Sequence, residues 1–152
     1  VYKREVDLLS APTRQQRLRT DAPTQDAKRQ FAQASRNLKT LSDAGIAIAM
    51  GSDSGSIPER NPGRWVGYNE HLELELMAKA GLTPMQALVA ATGTAARVMK
   101  LDGVGTLQSG KWADLLVLNA NPLTDIRNTR QIASVWIGGR KVPAALSVPP
   151  TN

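Results

Sequence analysis

Five consecutive apolar residues, Ile46-Ala47-Ile48-Ala49-Met50, constrain this chain more than any other feature. They do not alternate with polar residues. A strand buried on both faces of a parallel sheet reads this way. A helix precedes it. Ala27, Phe31, Ala34, Leu38 and Leu41 recur at spacings of 4, 3, 4 and 3, which predicts one apolar stripe on a helix starting at Thr24. Asp43-Ala44-Gly45 ends that helix, with Gly45 suited to a left-handed cap. A polar turn, Gly51-Ser52-Asp53-Ser54-Gly55, follows the apolar run. Helix, short loop, buried strand and a polar residue at the strand's C-terminal end make an α/β pattern.

The downstream order extends this reading. Residues 56–69 form a loop with Pro58, Pro62, Gly63 and Gly67, and it carries Arg60, Arg64, Trp65 and Tyr68. Such a loop can shape a pocket. A helix is expected from Glu70 to Ala80, with Leu72, Leu76 and Ala80 as its buried stripe and Gly81 as its stop. Glu70 and Glu73 are read as solvated groups that compensate the helix dipole. Thr83-Pro84-Met85-Gln86 is a capping box with proline at the first helical position. Its helix ends near Gly93, and another helical turn covers about Ala95 to Leu101. After Gly103 the pattern becomes β. Ala113 to Leu118 reads as a strand, and Gly138-Gly139 between Ile132–Ile137 and Arg140–Val142 reads as a hairpin turn. The chain divides into an irregular basic segment (1–23), an α/β part (24–103), a small β part (104–142) and a frayed tail (143–152).

Composition closes off several classes. The 152 residues suit one ordinary domain, and 41% hydrophobic content supplies a core. No run of 18 apolar residues exists, so no membrane-spanning helix is expected. Without cysteine there is no disulfide, thiolate zinc site or cysteine nucleophile. His71 is the only histidine, so one copy of the chain cannot build a multi-histidine metal site. The net charge is +6, and residues 1–45 hold nine basic against five acidic groups. Acidic residues interleave with the basic ones, and six aromatics supply no stacking platform, which argues against nucleic acid. The first 20 residues contain no apolar signal-like run. The compartment is left open, with the cytoplasm as default and export expected if a signal lies upstream.

Asn37-Leu38-Lys39 through Asp43-Ala44-Gly45, with the apolar run and Gly51-Ser52-Asp53 after it, and three further segments carry a resemblance. These are His71-Leu72-Glu73-Leu74 through Ala80-Gly81-Leu82-Thr83-Pro84, then Ala87-Leu88 through Thr94-Ala95-Ala96, then Gly105-Thr106-Leu107 through Gly110-Lys111-Trp112-Ala113-Asp114-Leu115. In this order and spacing the chain resembles the C-terminal end of the metal-dependent amidohydrolases, near their imidazolonepropionase and prolidase-like members. The resemblance implies part of a (β/α)8 TIM barrel carrying part of a small β-sandwich. It places Asp53 where the family's last barrel strand bears an aspartate that binds metal and moves protons. The implied cofactor is a divalent metal, zinc by expectation, with one or two ions in the complete enzyme. The implied substrate is a small amide, cyclic amide or dipeptide-like molecule cleaved at a C–N bond by activated water.

The family's other ligands are a His-x-His pair, two further histidines and often a carboxylated lysine. They belong to strands this chain lacks. It is therefore expected to be the C-terminal piece of a larger enzyme, inactive alone, with the remaining barrel segment or a second chain as its partner. The rival reading is a non-enzymatic module that dimerises or binds a partner through unfinished sheet edges. At the level of single residues, Asp53 could instead be a turn aspartate. His71 could contact substrate or be a satisfied helix-end histidine. Asp114 is read as structural.

Overall fold

The computed structural model describes residues 24–55 and 66–143. The expected irregular segment 1–23, the tail beyond 143, and Arg60, Arg64 and Trp65 lie outside the described residues.

Helix α1 (Gln25–Asp43) starts where Thr24 Oγ1 accepts the Ala27 amide at 3.1 Å. It ends in a double bond pattern: the Gly45 amide donates to the Ser42 carbonyl and the Ile46 amide to the Leu41 carbonyl, each at 3.0 Å, with Gly45 at φ +76°. The expected stripe is present, but little of it is covered. No residue of α1 is buried, and Phe31 and Leu41 stay 42% and 46% exposed. Leu38 alone of the stripe packs on the core.

Residues 46–50 differ from expectation. They are extended, but no strand among the described residues pairs with them. Ile46, Ala47 and Ala49 are exposed, while Ile48 and Met50 pack on the core, and the Met50 amide donates to the Ala90 carbonyl at 3.0 Å. Burial on both faces requires flanking strands, and the described residues supply none. The described part of the chain therefore closes no barrel.

Helix α2 (Asn69–Lys79) buries Leu74 and Met77, whereas the expected Leu72, Leu76 and Ala80 are half-buried. The helix packs against α1, α3 and a 3-10 turn, so more than one of its sides is covered. Helix α3 (Pro84–Val89) carries the expected capping box: Thr83 Oγ1 accepts the Gln86 amide at 3.2 Å, and Gln86 Oε1 accepts the Thr83 amide at 2.8 Å. The chain does not break at Gly93. A π-helical turn (Ala90–Thr94) runs straight into α4 (Ala95–Val98).

The β part is a three-stranded antiparallel sheet, ordered β1 (Leu115–Leu118), β2 (Ile132–Ile137), β3 (Arg140–Lys141). Leu115 faces Trp136, and a bulge lies between Val117 and Leu118. Gly138 and Gly139 have φ +57° and +75°, the two positive values that a tight hairpin of this hand requires. Asp114 Oδ1 accepts the Gly138 amide at 2.6 Å, so this aspartate braces the hairpin, as expected.

One small core joins the two parts. Leu74, Met77, Leu82, Ala87 and Ala90 meet Ile126, which comes from the 3-10 turn (Ile126–Arg130) between β1 and β2. Each fully buried side chain of Leu, Ile or Met size contributes about 1.5–3 kcal/mol. The helices and the sheet thus depend on one another through that turn.

Candidate active site

Asp53 sits in the turn that leaves the extended segment. Its backbone is left-handed, with φ +49°, and its side chain is exposed. Few residues other than glycine adopt this conformation, and aspartate is among those that tolerate it best. Such strained positions gather at functional sites.

The residues flanking Asp53 are tied to the start of α2. Glu70 Oε1 accepts from Ser52 Oγ at 3.1 Å and also from Ser54 Oγ. Ser52 Oγ also lies 2.9 Å from Ser54 Oγ, so its single proton serves either Glu70 or Ser54. The other oxygen, Glu70 Oε2, accepts the Gly67 amide at 2.6 Å. Burial pushes the Glu70 carboxyl up, but hydrogen bonds from Ser54, the Glu70 and Gly67 backbone and Ser52 outweigh it, and the group is held below its ordinary value. The sequence assigned Glu70 only to the helix dipole. The available signal was the pair of serines around Asp53, followed by an acid in the first turn of the next helix.

His71 is placed differently. Its Nδ1 lies 3.0 Å from Thr129 Oγ1, and Thr129 is buried. Thr129 Oγ1 also donates to the Ile126 carbonyl at 2.9 Å. A hydroxyl has one proton, so its oxygen must accept from His71. The ring proton is therefore on Nδ1, and Nε2 keeps its lone pair. Burial, then the Arg130 charge, hold the imidazole below its usual pKa, against weaker opposition from Glu70 and Glu75. His71 thus bonds to the 3-10 turn and not to the Asp53 turn, although its neighbour Glu70 does reach that turn.

Two further contacts fasten α2 to the same turn. Arg130 Nε donates to Glu75 Oε1 at 2.6 Å, and the Arg130 guanidinium lies 4.7 Å from the Tyr68 ring centroid. Glu73 is half-buried, and burial raises its carboxyl pKa.

Among the described residues, no group of three or more His, Asp or Glu side chains could hold a metal ion. Asp53 fits as one hard oxygen ligand, exposed at the end of its segment. A complete set would need ligands from elsewhere.

The sequence profile of the Amidohydrolase family matches residues 9–142. The chain belongs to the amidohydrolase family. Among relatives, an imidazolonepropionase from Deinococcus deserti is 35% identical over 108 residues, covering 68% of this chain and 26% of that protein. An ochratoxinase from Aspergillus niger is 32% identical over 103 residues, covering 64% of this chain and 19% of that protein. Two solved structures superpose well. Molinate hydrolase gives a TM-score of 0.62 at 26% identity, over 76% of this chain and 27% of that one. A Xaa-Pro dipeptidase with bound methionine gives 0.61 at 28% identity, over 71% and 25%. The amidohydrolase chain described here spans about a quarter of the length of its imidazolonepropionase relative. The two neighbours are a hydrolase and a dipeptidase by name, and this chain covers about a quarter of each.

Proposed function

We propose that this chain is the C-terminal part of a metal-dependent amidohydrolase that cleaves a C–N bond in a small amide, cyclic amide or dipeptide-like substrate. The observation that carries the reading is Asp53, an exposed carboxylate held left-handed in a braced turn, inside a chain that matches the family over residues 9–142.

Asp53 is one metal ligand, and the rest come from the remaining barrel or a second chain. A bound divalent ion, zinc in this reading, supplies an acidified water. With such an ion bound, the Asp53 carboxylate would be placed to accept a proton from water and return it to the leaving nitrogen. The water's oxygen stays on the carbon, so the products are a carboxylate and an amine. His71 keeps a lone pair on Nε2, which offers an acceptor to a substrate N–H or O–H. Because the described residues hold no ligand set, the isolated chain is expected to be inactive.

The test is the full-length gene product, wild type against Asp53→Asn, assayed for hydrolysis of cyclic amides and prolyl and acyl dipeptides, with metal content measured in parallel. Loss of activity with reduced metal content is expected. Undiminished turnover in the variant would remove Asp53 from the mechanism.

A further inference from the structure

The turn around Asp53 is held by a group on another element. The two residues beside Asp53, Ser52 and Ser54, both reach Glu70 Oε1, while Glu70 Oε2 takes the Gly67 amide at 2.6 Å. Each serine has one hydroxyl proton. Ser54 donates to Glu70, and Ser52 donates either to Glu70 or to Ser54. Both arrangements require a group at position 70 that accepts on both oxygens, which a carboxylate does and an amide does not. Glu70 is also the second residue of α2, so the clamp is anchored on a helix rather than on loop.

We propose that Glu70 is a positioning residue for Asp53. It holds the side chains on either side of the left-handed residue, so that the Asp53 carboxylate is already placed before substrate arrives. Residues held in sparsely populated backbone regions persist only when their surroundings over-determine them. Here the surroundings are one carboxylate collecting donors from before, after and beyond the strained residue. The inference rests on the reading of Asp53 given above.

The test uses the full-length gene product with Glu70→Gln, Ser54→Ala and Asp53→Asn. Gln at position 70 must turn its NH2 either to the serines or to the Gly67 amide, so one arm breaks in either orientation. The expected result is a kcat about 10- to 100-fold lower for Glu70→Gln with KM nearly unchanged, the effect of a small misplacement of a reacting group. Ser54→Ala, which leaves the charge in place, falls in the same direction by less. Zinc retained after dialysis against a chelator drops in Glu70→Gln as it does in Asp53→Asn, and is no lower in the double variant. A wild-type kcat in folded Glu70→Gln and Ser54→Ala, beside an inactive Asp53→Asn, would overturn this inference alone. Full activity of Asp53→Asn would overturn it together with the reading it rests on.

Discussion

His71 Nδ1 and Thr129 Oγ1, 58 residues apart in sequence, lie 3.0 Å apart and join α2 to the 3-10 turn that precedes β2. The bond is directional, because the Thr129 proton is committed to the Ile126 carbonyl. Thr129→Val keeps the shape and removes the acceptor. The half-buried Nδ1–H then loses its partner, which costs about 1–3 kcal/mol. Urea denaturation of the variant against wild type measures this; an unchanged midpoint would contradict the tautomer assigned here.

The same histidine sets a pH dependence. Its folded pKa is depressed, chiefly by burial and then by Arg130. The charges facing it are Arg130 from the 3-10 turn and Glu70 and Glu75 from its own helix. A depressed value means that the unfolded chain binds the proton more readily than the folded one. The contribution is therefore present above the ordinary imidazole pKa and declines as pH falls from there through the lowered folded value. Melting temperature should fall over that window in wild type. In His71→Asn, whose amide can still donate to Thr129 but does not titrate, that part of the slope should be missing.

Among the described glycines, Gly105 is the most closely packed. A Cβ at this position would lie 2.5 Å from Ala96 Cβ and 2.8 Å from the Thr92 carbonyl oxygen, and its φ is +84°. Gly105→Ala combines overpacking with a left-handed penalty, about 2–4 kcal/mol in all. The π-helical turn carrying Thr92 is tied to the Met50 amide through the Ala90 carbonyl. Calorimetry should show a clearly lower melting temperature.

Ile126 is 7% exposed and closes the shared core from the sheet side. Ile126→Ala should cost about 2–5 kcal/mol. Because the residue contacts the helical core, amide exchange should speed up in α2 and α3 as well as around the 3-10 turn. Acceleration confined to the sheet would show that the two parts unfold independently.

Features written in neighbouring residues were legible before any coordinates. Thr24, the Thr83–Gln86 box, the Gly45 stop and the Gly138-Gly139 turn act over at most five positions, so spacing alone reveals them. The family motifs belong to the same local record. The burial pattern did not follow. Leu74 and Met77 are the residues of α2 that the core takes, because three neighbours pack around that helix. Ile46 and Ala49 remain exposed because a two-sided strand needs partners from other segments. Glu70 reaches Ser54 and Ser52 across 16 and 18 residues, and His71 reaches Thr129 across 58. Hydrogen bonds of that kind depend on which atoms the fold brings within about 3 Å. No periodicity encodes them, and so tertiary packing alone decided which acid bonds to the serines flanking Asp53 and which nitrogen of His71 carries the proton.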